Sequence, residues 1–215
     1  MELNDKVAIV TGAGSGIGRA LAIAIGATGV RSVICTDLDG NTAAETAAMI
    51  GASAAAAALD VSDEAAIEAM VAETESTLGA VDLFVSNAGY GRTGGLELPT
   101  QEWARMMQVH AWAHLAAARA VIPGMLARGG GYLLNTASAA GLLTQIDSGP
   151  YAVSKHAAVG FAEWLAVTYG DQGIGVSVLC PQAVRTNIGG DDPQQVPVGQ
   201  ASFDGVLEPE TVADA

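Results

Sequence analysis

Apolar residues along this chain come in two alternating textures. Short unbroken runs, beginning with Lys6-Val7-Ala8-Ile9-Val10-Thr11, are closed by glycines or polar clusters. Between them lie longer stretches in which apolar positions recur at helical spacing. The first unit predicts a strand over residues 6–11, a glycine-rich turn, and a helix from 17 to about 28. Further strands are predicted at 32–36, 54–59, 83–86, 132–136 and 176–179. Helices are predicted at 42–50, at 63–78 with Ser62 as cap, at about 100–127 and at about 151–169. The polyalanine run at 54–58 is the weakest strand and is compatible with a surface helix.

Continuous apolar strands alternating with helices imply a parallel sheet covered on both faces. Six or so such units favour a doubly wound sheet over a barrel, which needs eight strands. The predicted fold is therefore α/β, a single Rossmann-type doubly wound parallel sheet with helices on both faces, forming one domain over residues 1–215. From 186 to 207 the chain turns to Asn, Gly, Asp, Pro and Gln without clear period, the character of a lid over a substrate. Residues 208–213 look like the first turn of another helix.

Composition narrows the picture in three ways. Half of the 215 residues are hydrophobic, but Ala supplies much of the excess and no uninterrupted apolar run reaches about 18 residues, the length of a membrane span. The start, Met1-Glu2-Leu3-Asn4-Asp5, lacks the basic segment of a secretory signal, so a cytoplasmic address is expected. Nine basic against 23 acidic residues give a net charge of −14, which disfavours nucleic acid and anionic membranes as partners. Cys35 and Cys180 each end a strand-like run and read as small buried hydrophobes rather than a disulfide. No cluster of His, Cys and Asp has metal-ligand spacing, so no metal is expected.

Chemistry concentrates at two places. In Thr11-Gly12-Ala13-Gly14-Ser15-Gly16-Ile17-Gly18 the glycines let the backbone approach a pyrophosphate, and the following helix offers free N–H groups and a partial positive charge. Nineteen residues after Gly18, at the end of the second strand, Asp37 stands where an acidic side chain accepts hydrogen bonds from an adenosine ribose. A carboxylate there repels a 2′-phosphate and no cation flanks it, so NAD is expected rather than NADP. The second place holds Tyr151 and Lys155, one of only two lysines in the chain. The i, i+4 spacing puts both on one helix face, where an ammonium lowers a phenol's pKa and fits it for proton exchange with an alcohol or carbonyl. Ser138, 13 residues upstream of Tyr151, ends a predicted strand at the ligand-binding edge of such a sheet.

Taken in order, the turn at 11–18, Asn87-Ala88-Gly89, Ser138, Tyr151-x-x-x-Lys155 and Pro181 closely resemble the classical short-chain dehydrogenase/reductase family, over about residues 6–213. The resemblance implies that Gly12, Ser15, Gly16, Ile17 and Gly18 wrap the cofactor pyrophosphate, Asp37 holds the ribose, and Asp60 and Val61 border the adenine. It further implies that Asn87, Ala88 and Gly89 support the cofactor, and that Pro181 and Thr186 flank the nicotinamide. In the same reading Tyr151 is the general acid/base, Lys155 lowers its pKa and holds the nicotinamide ribose, and Ser138 orients the substrate oxygen.

Three departures stand out. Ser86 replaces a second Asn, Gln182 replaces a Gly, and His110 replaces the Asn that supports a proton path to the lysine in the family. His110 supplies a different relay or is an ordinary packed helix histidine, the second reading being preferred. His114 and His156 read as helix-surface or interface residues, and Trp103, Trp112 and Trp164 as core or subunit contacts. The helix near 151–169 is apolar on more than one face, which with the resemblance implies a homodimer or homotetramer. Family members complete the helix near Glu208 and add an edge strand, so a chain continuing beyond Ala215 is expected.

The function expected is an NAD-dependent oxidoreductase that interconverts a hydrophobic secondary alcohol and its ketone, working toward oxidation. Small and apolar residues after Ser138, namely Ala139, Ala140, Gly141, Leu142 and Leu143, suggest the hydrophobic substrate, with Gln145 and Gln182 beside them. The alternative is a non-catalytic NAD-binding sensor or scaffold, which would have no use for Ser138, Tyr151 and Lys155 together. A nucleotide-sugar epimerase would need a different glycine spacing and a larger carboxyl-terminal domain.

Overall fold

The computed structural model describes residues 1–189 and 205–214; residues 190–204, most of the expected lid, lie outside the described residues. Six parallel strands, β1 (Val7–Thr11), β2 (Ser32–Asp37), β3 (Ala54–Ala58), β4 (Leu83–Ser86), β5 (Gly131–Thr136) and β6 (Ile174–Leu179), form one sheet in the order β3-β2-β1-β4-β5-β6. This is the doubly wound order, with its reversal between β1 and β4. Helices α1 (Gly16–Gly26), α2 (Gly40–Ile50), α3 (Glu64–Thr77), α4 (Thr100–Met107), α5 (Ala113–Ala127), α6 (Gly149–Tyr169) and α7 (Pro209–Ala213) join or follow the strands.

The period of two along each strand sorts the core into two layers. Ile9, Ile34, Phe84 and Leu133 face α3 and α5 on one side, packed with Ile67, Met70, Val121 and Leu165. Ala8, Val10, Val33, Cys35 and Val85 face α1 and α2 on the other, packed with Leu21, Ile25 and Ala43. Register aligns Ile9 with both Ile34 and Phe84, so each layer is continuous across the sheet centre. Full burial of one such side chain stabilises by about 1.5–3 kcal/mol, which is why the unbroken apolar runs become central strands. The polyalanine segment settles as edge strand β3, paired only with β2 and mostly open to solvent.

Local details differ from the sequence reading at three points. Asp63, not Ser62, caps α3, its carboxylate accepting from the Ala65 and Ala66 N–H groups at 3.0 and 3.3 Å. The Ser62 hydroxyl is engaged instead, donating to the Asp60 carboxylate at 2.7 Å. The long helix expected at 100–127 is two α-helices joined by a π turn at Gln108–Trp112, an irregularity that hydrophobic spacing does not encode. His114 is no surface residue: it is buried in α5 among alanines small enough to draw that helix close to the sheet. His156 is exposed as expected, while Trp112 and Trp164 are about half exposed, at 49% and 53%. Among the described residues no helix is long and apolar enough to cross a membrane.

Burial holds His114 down at about 3, and burial together with nearby Lys155 holds His110 well below its usual value. Both are neutral in the fold and take up protons near 6.5 once unfolded. Their contribution to stability is complete above pH 6.5 and is lost as pH falls toward the folded values. Urea unfolding between pH 7 and 4 is expected to show a loss of about 3 kcal/mol for His114 alone. His114→Leu should flatten that slope, and an unchanged slope in the variant would contradict the assignment.

Candidate active site

The turn between β1 and α1 is built for close approach. Gly12 has φ +66°, and a Cβ there would lie 2.8 Å from the Ala88 Cα. A Cβ on Gly18 would collide with the Gly12 carbonyl oxygen, so the first turn of α1 is pressed against the end of β1. Ser15 precedes α1 without a side-chain cap bond, and the first turn carries no acidic residue. The helix amino terminus thus offers its N–H groups and partial positive charge to the cleft.

Asp37, at the end of β2, faces the same turn. One carboxylate oxygen accepts from the Gly14 N–H at 2.9 Å and the other from the Asp39 N–H at 3.2 Å. A carboxylate has about four acceptor positions, so each oxygen keeps capacity for another donor. Arg19, a nearby cation, is committed to the Gly14 carbonyl, to Thr46 Oγ1 at 3.0 Å and to the Glu45 carboxylate at 3.2 Å.

At the reversal of strand order, Thr11 Oγ1 accepts from the Asn87 and Ala88 N–H groups at 2.9 and 3.1 Å and donates to the Val85 carbonyl at 3.2 Å. The Asn87 side-chain amide returns a bond to the Thr11 carbonyl at 3.1 Å. In the sequence Thr11 stands out only as the opening of the glycine motif; a threonine at the last position of a buried strand was the available signal.

The other end of the cleft is formed by β5, α6 and the segment after β6. Ser138 caps a short 3₁₀ turn, its hydroxyl accepting from the Ala140 N–H at 3.2 Å. Tyr151 and Lys155 share the buried face of α6, with the Lys155 Nζ 5.7 Å from the Tyr151 ring centre and donating to the Thr136 carbonyl at 3.0 Å. Burial pushes Lys155 down to about 8, with the Cys180 thiol acting in the opposite direction. Burial raises the Tyr151 phenol above its usual value, and Ser138 works against that rise. The shift thus runs opposite to the lowering by Lys155 expected from spacing, because desolvation of the phenol sets its direction.

One cavity of about 550 Å³ collects most of the predicted residues. Gly12, Ser15, Gly16, Ile17, Gly18, Asp37, Asn87, Ala88 and Gly89 line one part, and Ser138, Tyr151, Lys155, Pro181 and Thr186 the other. Asp60 and Val61 are not part of its wall; Val61 is buried in the core, and Asp60 is bonded to Ser62. Tyr90, Ile188, Leu143 and Ile146 also line it; Leu143 and Ile188, the latter within the segment expected as a lid, were anticipated from the sequence, and Tyr90 and Ile146 were not. His110 is fully buried in the π turn, with its ring centre 5.5 Å from those of both Tyr90 and Tyr151. A buried phenol, hydroxyl and ammonium converging on one cavity can exchange a proton with a bound oxygen atom.

Comparison with known proteins finds relatives across most of the chain. A family model described as short chain dehydrogenase matches residues 6–196. The 1-deoxy-11-beta-hydroxypentalenate dehydrogenase of Streptomyces exfoliatus is 36% identical over 193 residues, covering 86% of this chain and 70% of that protein. The cyclohexanol dehydrogenase of Acinetobacter sp. (strain SE19) is 35% identical over 190 residues, covering 86% of this chain and 75% of that one. A crystal structure of a short chain dehydrogenase/reductase from Burkholderia phymatum in complex with NAD superposes with a TM-score of 0.88 at 31% identity, covering 100% of this chain and 85% of that one.

The buried Lys155 is a cost to the fold. Its folded value near 8 lies below the unfolded 10.5, so the cost is full below pH 8 and disappears toward pH 10.5. Lys155→Met is expected to raise the thermal midpoint at pH 7 by roughly 5 °C, some of the gain being offset by the unpaired Thr136 carbonyl. Calorimetry at pH 7 and 10 checks this, and a destabilised variant at pH 7 would refute it.

Proposed function

Because the chain belongs to the short chain dehydrogenase family, we propose that it is an NAD-dependent oxidoreductase interconverting a hydrophobic secondary alcohol and its ketone. The observation that carries this reading is the sharing of one cavity by the glycine turn, Asp37, and the Ser138, Tyr151 and Lys155 side chains.

The residues fit a nicotinamide dinucleotide. The uncapped amino terminus of α1 suits a pyrophosphate held by Gly12, Ser15, Gly16, Ile17 and Gly18, the absence of a Cβ at Gly12 and Gly18 letting the turn pack closely on itself and on Ala88. Asp37 retains acceptor capacity for two ribose hydroxyls, and its charge opposes a 2′-phosphate while Arg19 is held by Thr46 and Glu45. Asn87, Ala88 and Gly89 would support the central part, and Pro181 and Thr186 would flank the nicotinamide, whereas Asp60 and Val61, outside the cavity wall, are not assigned to the adenine. The chemistry such a nucleotide supplies is acceptance or delivery of a hydride.

In the oxidative direction the substrate carbinol carbon loses a hydride while its hydroxyl proton passes to the ionised Oη of Tyr151, leaving a ketone and a neutral phenol. In reduction Tyr151 returns that proton to the oxygen. Ser138 donates to the substrate oxygen, and the Lys155 ammonium stabilises the phenolate and would hold the nicotinamide ribose. Because burial keeps the phenol protonated at neutral pH, oxidation should accelerate as pH rises. The preference for NAD favours oxidation in a cell, where that nucleotide is mostly oxidised.

An apolar substrate is supported by Tyr90, Ala140, Met106 and Ile188, which cluster beside Tyr151. Leu143 and Ile146, exposed at 75% and 76%, stand at the cavity wall. The relatives named for a hydroxypentalenate and for cyclohexanol make cyclic alcohols the first class to assay. The chain would act as one cytoplasmic domain, assembled as a homodimer or homotetramer through α6, where Val153, Trp164 and Val167 are exposed.

Titration of the protein with NADH and NADPH, followed by nucleotide fluorescence, tests the cofactor reading. NADH is expected to bind at least about tenfold tighter, and Asp37→Ala should remove most of that margin. Binding of neither nucleotide would end the enzyme reading for this chain. With cyclohexanol or a related alcohol turned over, Tyr151→Phe should lower kcat by about 10²–10⁴ with NADH affinity nearly unchanged. An active Tyr151→Phe would remove Tyr151 from the chemistry.

A further inference from the structure

His110 occupies the position at which the chain departs from the family's Asn, and its two ring nitrogens both have partners. Nε2 lies 3.1 Å from the Tyr90 backbone N–H, and Nδ1 lies 2.9 Å from Ser154 Oγ. Ser154 Oγ in turn lies 2.9 Å from the Tyr151 carbonyl oxygen. His110 and Ser154 are fully buried.

We propose that His110 is a positioning residue, a neutral strut in its Nδ1–H form that ties the Asn87-Ala88-Gly89-Tyr90 loop to the helix carrying Tyr151 and Lys155. The ends of the hydrogen-bond chain dictate its direction. A backbone N–H can only donate, so Nε2 is the acceptor from Tyr90 and the ring proton resides on Nδ1. A backbone carbonyl can only accept, so the Ser154 hydroxyl donates to Tyr151 and accepts from Nδ1. Anchored by an obligatory donor at one end and an obligatory acceptor at the other, the chain has one proton arrangement. A proton relay needs two, so His110 does not replace the family's proton path through its imidazole.

The arrangement also explains why an imidazole stands here. It presents a donor and an acceptor on opposite flanks of one rigid ring, and Nε2 reaches farther from the backbone than either polar atom of an Asn amide. An Asn at 110 could meet Ser154 or Tyr90, not both. Gly89 shows how tightly the strut is built in: a Cβ there would lie 3.1 Å from Nε2 and 3.6 Å from the Lys155 Nζ. The titratable groups facing the ring are Lys155 and Tyr151 from α6, Tyr90 from the loop after β4, and His114 from α5. The ammonium of Lys155 and the cost of desolvation both oppose a second proton on His110. Protonation would turn Nε2 into a donor facing a donor, so geometry and electrostatics favour the same neutral form.

The inference rests on the proposed function only for its effect on nucleotide binding, and the test separates the two. Protein labelled with ¹⁵N-histidine, with His110 assigned by its loss in His110→Asn, should show a proton on Nδ1 and a bare Nε2 throughout pH 5.5–9. The Nε2–H form, or titration of this ring inside that range, would overturn the strut whether or not any nucleotide binds. His110→Asn and Ser154→Ala should each weaken NADH binding by about fivefold, the value of one lost hydrogen bond. Because both act through the same chain, the double variant should lose little more than either one. Fully additive losses, or unchanged affinity in both single variants of a protein that binds NADH, would also overturn the strut.

Discussion

The hydroxyl of Thr11 turns a sheet into a site. It lies at the end of β1, where the next strand in space, β4, sends its chain to the opposite face. It gathers the first two N–H groups beyond β4 and donates to the Val85 carbonyl within it, while the Asn87 amide returns a bond to Thr11. Strand ends that diverge to opposite faces leave an opening, and these bonds hold its floor at a defined width. Because that floor is close, Gly12 passes within contact of Ala88 and no side chain fits between them. An apolar residue of the same shape at position 11 would keep the strand and leave two part-buried donors without their acceptor. The cleft therefore depends on polar satisfaction at a place where hydrophobic packing alone would also have made a fold.

A second constraint is charge. Lys155, His110 and His114 are buried close together, and two of them must be neutral for the third to carry a proton. Desolvation and the lysine itself hold both histidines down. The charge that remains is an ammonium bonded to the Thr136 carbonyl next to the Tyr151 ring. The alanine-rich packing of α5 supports this by bringing His114 into the core. The apolar layers on both sides of β1 and β4 offset the expense, consistent with stability being sacrificed locally where chemistry is done.

Much of this was legible in the residues. The alternation of apolar runs and helical periods predicted all six strands, because central parallel strands are buried on both faces and read as unbroken apolar stretches. The glycine turn, Asp37, Ser138, Tyr151 and Lys155 were legible because their chemistry demands particular residue types at particular spacings, and the structure gathers them at one cavity. The cap of α3, the burial of His114 and the sign of the Tyr151 shift were not. Asp63 and Ser62 are both good caps, and the local bond of Ser62 to Asp60 is what leaves the role to Asp63. A histidine's depth in a helix depends on how closely neighbouring alanines let that helix approach the sheet. The phenol's ionisation is a balance between desolvation and nearby polar groups, and spacing reports only the second.

The π turn at Gln108–Trp112 was the least legible element and has the most specific consequence. One additional residue in a turn rotates the downstream helix by more than a quarter of a revolution relative to a continuous α-helix. Met106 before the turn and Ala113, His114 and Ala117 after it are all buried. A helix without the irregularity would need a different sequence to bury those same faces. Within the turn, His110 and Ala111 point inward while Trp112 is left half exposed. The irregularity carries the imidazole that stands between Tyr90 and Tyr151. Once the ring is there, its neutral form satisfies a loop N–H on one side and a serine on the other. The site's rigidity then arises as it does at the Thr11 clamp, from loop N–H groups that find an acceptor on a buried side chain.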